Sequence, residues 1–107
     1  PYFKRIGNSL DVSVRVLHND CHGLITARYL SEMGFNVFNF SFEHSLGEMR
    51  KAAGDAVTLL GNIPPRDVLA AGTPEDVRRA VAEALGGIGD KRRIIVSAGG
   101  GTPPGVP

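Results

Sequence analysis

Four short apolar runs, Val12 to Leu17, Val37 to Phe42, Ala56 to Leu60 and Arg93 to Ser97, alternate along the chain with stretches whose apolar residues recur at helical spacing. The pattern predicts strands and helices in regular succession. Tyr2, Phe3, Ile6 and Leu10 repeat as on one side of a helix over Pro1 to Leu10, with Pro1 suited to its first turn and Gly7 weakening it. Leu24, Ala27, Leu30 and Met33 mark the next helical face, and Gly34 stands where a left-handed cap is wanted. Ser45 and Glu48 spell a Ser-x-x-Glu capping box for a helix that closes at Gly54. Thr73 heads another, with Pro74 first, Asp76 third, and Val77, Val81, Ala84, Leu85 and Ile88 along its buried stripe.

Because a helix of ten or so residues follows each strand, hairpins are excluded, and parallel pairing through right-handed crossovers is expected. Phe38, Phe40 and Phe42 alternate with Val37, Asn39 and Ser41. One strand face is therefore bulky and the other small and increasingly polar. Helices are expected over the aromatic face, with the polar series pointing into a barrel lumen toward its C-terminal mouth. An open α/β sheet of flavodoxin type fits the same periodicity.

Composition narrows the partners. The chain has 107 residues, 42% of them apolar, which suits a single globular unit over residues 1–107. Twelve basic against eleven acidic residues, with no like-charged run longer than Lys91-Arg92-Arg93, give no electrostatic footprint for nucleic acid. No apolar run approaches the roughly 20 residues of a membrane span. The lone Cys21 cannot close an internal disulfide, so a reducing compartment, the cytoplasm, is expected. Pro1 in place of Met, and Gly105-Val106-Pro107 at the end, read as the ends of a piece cut from something longer.

Strand C-termini are the functional edge of such a sheet, and polar residues collect there. His18, Asn19, Asp20, Cys21 and His22 follow the first strand, and Ser41, Glu43 and His44 the second. Gly61, Asn62 and Arg66 follow the third, and Gly99, Gly100 and Gly101 the fourth. His18, Asp20, Cys21 and His22 include metal-capable types, but their spacing on an extended end favours a polar hydrogen-bonding cluster over zinc. Glu43 continues the lumen-facing alternation, whereas His44, beside the Ser45 cap, reads as a surface residue. The three glycines allow close backbone approach to an anionic or carboxylate-rich ligand, or else form a tight turn; without a following helix and a Lys-Ser/Thr pair they are no P-loop. Asn62 offers a directional amide, and Arg66 can meet a carboxylate.

Taken in order, His-Asn-Asp, Gly-Asn-Ile-Pro-Pro, Gly-Thr-Pro-Glu-Asp-Val and Gly-Gly-Gly-Thr-Pro-Pro-Gly resemble the uroporphyrinogen decarboxylase superfamily, most specifically between Gly61 and Val77. The resemblance implies the C-terminal half of a (β/α)8 TIM barrel, the four strands being its fifth to eighth. It implies removal of carboxyl groups from the acetate side chains of uroporphyrinogen, a step of porphyrin biosynthesis, without metal or organic cofactor. In that family an Asp and several Arg from the first half hold the substrate. Corrinoid-dependent methyltransferase relatives instead use zinc held by a His-x-Cys pair and a later Cys. Here His18 matches that histidine, Asp20 stands for the first Cys and Gly100 for the second; Asp20 and His22 resemble the decarboxylase Asp-x-His, while its late Gly-His-Gly becomes Gly99-Gly100-Gly101.

The reading is an inactive fragment of a decarboxylase of uroporphyrinogen or a related polycarboxylate. His18 and Asp20 are its catalytic candidates, and Glu43, Asn62, Arg66, Gly99, Gly100 and Gly101 its substrate contacts, with no metal or cofactor. A methyltransferase fragment and a small non-catalytic α/β binding module are the alternatives. Half a barrel leaves two sheet edges unpaired, so self-association is expected as well.

Overall fold

The computed structural model describes residues 1–107. In chain order it contains α1 (Tyr2–Ser9), β1 (Val16–Asn19), α2 (Gly23–Ala27), β2 (Val37–Phe40), α3 (Leu46–Ala53), β3 (Thr58–Ile63), α4 (Pro74–Gly86) and β4 (Ile94–Ala98). Between β3 and α4 lies a single wide helical turn, Pro65–Ala70, in which Leu69 and Ala71 donate to carbonyls five residues back, Pro64 and Arg66. The strands form one parallel sheet in the order β1-β2-β3-β4. No helix is long and apolar enough to cross a membrane.

Strand register sorts the two faces. Leu17, Phe38, Leu59 and Ile94 share one row across the sheet, and His18, Asn39, Leu60 and Ile95 share the next. The first row packs under the helices, where Phe38 and Leu59 are fully buried among Leu30, Phe40, Leu46, Met49 and Val57. The second row faces an open concavity, and Ile95 there is 49% exposed. Only eighteen of 107 residues are buried, so one face of the sheet carries the core and the other is bare.

The helix ends follow the sequence signals. Ser45 and Glu48 make both bonds of a capping box, as do Thr73 and Asp76. The buried stripe of α4 is shallower than expected, with Val77, Val81, Ala84 and Leu85 half-buried and only Ile88 fully inside. The apolar repeat from Leu24 to Met33 is helical only to Ala27 and continues as tight turns. It closes at Gly34 (φ +82°), with Phe35 N–H donating to Leu30 and Gly34 N–H to Ser31, the two bonds of a Schellman motif. Gly7, an apparent weakness in α1, is where that helix touches its neighbour: a β-carbon there would collide with the Met33 carbonyl.

Strand limits differ from the apolar runs. Pairing starts at Val16 rather than Val12, leaving Val12 and Val14 exposed, because the Asn36 carboxamide takes the place of a strand partner by accepting from Arg15 N–H and donating to the Ser13 carbonyl. The second strand stops at Phe40; Phe42 is 48% exposed and not covered by a helix as expected. The third begins at Thr58 rather than Ala56 and runs on to Ile63, because β4 offers partners to Gly61, Asn62 and Ile63.

Candidate active site

The loops after β1, β2, β3 and β4 open on the same edge of the sheet, as parallel pairing requires. His18 is the last polar side chain of β1 on the concave face, and Asn39 is its register partner on β2. The Asn39 amide nitrogen donates to the Leu60 carbonyl (2.7 Å) and, reaching over β3, to the Ala98 carbonyl (3.3 Å). One side chain thus ties β2 to β3 and β4. A flat sheet does not allow that reach, so the bond reports the inward curl of a barrel wall.

Those two donations fix the orientation of the amide, and its oxygen Oδ1 therefore faces His18 Nδ1. An amide oxygen only accepts, so Nδ1 carries a proton. On the other side of the ring His18 Nε2 lies 3.1 Å from Asp20 Oδ2. Both ring nitrogens face acceptors, an arrangement that only the doubly protonated imidazolium satisfies fully. The Asn39 bond, then the Asp20 bond and charge, raise the His18 pKa above its ordinary 6.5, against a smaller opposing effect of burial.

Asp20 also closes the distance to the far edge of the sheet. A β-carbon on Gly100 would stand 3.4 Å from Asp20 Oδ1, so the loops after the first and last strands meet at the mouth. Gly100 adopts φ +142°, which a side chain rarely tolerates. A β-carbon on Gly99 would press within 2.9 Å of the Phe42 backbone nitrogen and 3.1 Å of the Asn62 carbonyl, whereas Gly101 stands in open space. Of the three glycines, the first is required by close packing and the second by its dihedral angle.

The remaining candidates are placed differently. Asn62 is buried and points into the neighbouring loop, its amide donating to the Ser41 and His44 carbonyls, so it holds the β2–α3 connection in place. The alternation expected to aim Glu43 into the lumen ends at Phe40; Glu43 sits in the following loop with Oε2 3.1 Å from His22 Nδ1. Arg66 is exposed on the wide turn after β3, and its guanidinium has no hydrogen-bond or ion-pair partner. Cys21 is exposed, its N–H donating to Asn19 Oδ1. A groove of about 550 Å3 beside the free edge of β1, with His18, Leu17, Phe3, Ile25 and Tyr29 in its walls, adjoins the mouth.

Asn39 was legible only as a member of a polar series, although it organises the site. The available signal was a polar residue interrupting an apolar strand at the same height as His18.

The zinc set implied by the methyltransferase resemblance does not fit. His18 and Asp20 provide two donors, and Gly100 has no side chain to provide a third.

Curved parallel strands with polar groups gathered at their C-terminal mouth define part of a β/α-barrel wall. A family description, uroporphyrinogen decarboxylase (URO-D), matches residues 1–107, and the chain belongs to that family. No curated protein matches it. Among solved structures, a methyltransferase from Methanosarcina mazei superposes with a TM-score of 0.82 at 23% identity, over 98% of this chain and 30% of that one. The chain thus spans under a third of that relative, and the likeness establishes the fold.

Proposed function

We propose that this chain supplies the proton-delivering side of a decarboxylase site for a polycarboxylated, uroporphyrinogen-like substrate. The observation that carries the reading is the His18 ring held between Asn39 Oδ1 and Asp20 Oδ2. When an acetate side chain loses carbon dioxide, the electrons of the broken C–C bond remain on the methylene carbon, which must gain a proton to become methyl. An imidazolium whose pKa these partners raise above 6.5 is a suitable donor. His18 gives the proton, Asp20 steadies the charge that precedes transfer, and the neutral ring recovers its proton from water. The same positive charge attracts a substrate carboxylate. Exposed Arg66 adds a second cation, and the glycine loop allows close backbone approach.

The concave face is open to water, which weakens each of these interactions. The 107-residue chain alone is therefore inactive. Incubation with uroporphyrinogen, followed by chromatography of the oxidised products, is expected to yield no coproporphyrin; its appearance contradicts the inactivity. Binding tests the site itself. Uroporphyrin fluorescence titration is expected to show binding that weakens in His18→Ala and at pH values above the His18 pKa, and binding indifferent to both overturns the role of His18.

The structural likeness favours a methyltransferase as the second reading. It lacks a zinc set at His18, and so ranks below the decarboxylase.

A further inference from the structure

A second cluster stands on the same rim and takes no part in the His18 site. His22, at the head of α2, meets Glu43 and His44 from the loop between β2 and α3. One ligand-capable atom from each lies within 4.8 Å of the other two. His22 Nδ1 and Glu43 Oε2 are already 3.1 Å apart, and the two imidazole rings are tilted by 53° with centroids 6.1 Å apart. The supporting backbone is anchored, since the buried Asn62 amide donates to the His44 carbonyl and Glu43 N–H donates to Ser41 Oγ.

We propose that His22, Glu43 and His44 bind a divalent cation of the zinc class. Two imidazoles and one carboxylate suit zinc and its neighbours, whereas magnesium and calcium prefer all-oxygen shells. Ligand atoms around a tetrahedral zinc, with bonds of about 2.0–2.2 Å, stand roughly 3.4 Å apart. The His22–Glu43 separation falls near that spacing, and drawing in the half-buried His44 ring from within 4.8 Å takes a shift of up to about 1.4 Å. Three protein ligands leave a fourth position open for water or an external carboxylate. The site neither uses nor needs His18, Asp20 or Cys21, so it stands apart from the decarboxylase reading.

The test is equilibrium dialysis of the chelator-treated chain against zinc chloride, with metal analysis and circular dichroism on each variant. The expected result is about one zinc per chain, weakened at least about tenfold by His22→Ala and by His44→Ala and also by the near-isosteric Glu43→Gln. Cys21→Ser should leave zinc binding unchanged, and excess magnesium should not displace the zinc. Absence of retained zinc overturns the proposal, as does retention that survives both histidine substitutions in folded protein, depends on Cys21, or yields to magnesium.

Discussion

His18 on β1 donates through Nδ1 to Asn39 Oδ1 on β2, and the Asn39 amide in turn donates to the backbone of β3 and β4, so one carboxamide couples the charge of a rim histidine to the curl of the sheet. Replacing Asn39 therefore affects both. Asn39→Ala should lower the His18 pKa toward its ordinary value and destabilise the fold by about 1–2 kcal/mol through the lost bonds. Histidine NMR titration and urea unfolding measure the two effects. A fall in stability with an unmoved His18 would separate them.

Stability should depend on pH through His18 with a definite sign. Its folded pKa lies above the unfolded 6.5, so its contribution is complete below 6.5 and is lost as pH rises through the folded value. Comparing urea midpoints of the wild type and His18→Gln at about pH 5 and about pH 9 should show the gap shrink at the higher pH. Asp20→Asn should also move the His18 titration down, because it removes the carboxylate that favours the charged ring.

The glycine loop separates packing from ligand contact. Gly99→Ala drives a methyl into the Phe42 and Asn62 backbones and should cost about 1–3 kcal/mol in unfolding free energy. Gly101→Ala enters open space and should leave stability unchanged while blocking close backbone approach by uroporphyrin. Thermal melts and the fluorescence titration distinguish the two. Equal stability losses would contradict the assigned roles.

Much of this was written in the sequence. The capping box at Ser45 and the cap at Thr73 are local, four-residue signals, and both formed, with Asp76 completing a box at Thr73 as well. The βα succession gave the parallel order, because long crossovers leave few alternatives. Strand limits were less legible. Val12 and Val14 have strand-like side chains but no partner strand, and Gly61 and Asn62, which look like loop residues, pair with β4. His18, Asp20 and Gly100 were correctly gathered at one rim, yet the direction of Asn62 depended on the Ser41 and His44 carbonyls, contacts about twenty residues away that periodicity does not carry.

The helix caps yield an acid-side prediction. Glu48 and Asp76 have pKa values lowered from 4.5 and 3.8, first by the backbone N–H groups of Ser45 and Thr73. Their contributions are present above those unfolded values and are lost as pH falls through the lower folded ones. Thr73→Ala should cost about 1 kcal/mol at neutral pH by chemical denaturation. That loss should shrink in strong acid, where Asp76 is protonated in both proteins.

The most direct test is a long-range nitrogen–proton NMR spectrum of His18 in the wild-type chain, followed through neutral pH. The predicted result is an imidazolium with both nitrogens protonated and a midpoint above 6.5. A neutral ring at pH 6.5, bare at either Nδ1 or Nε2, would contradict it.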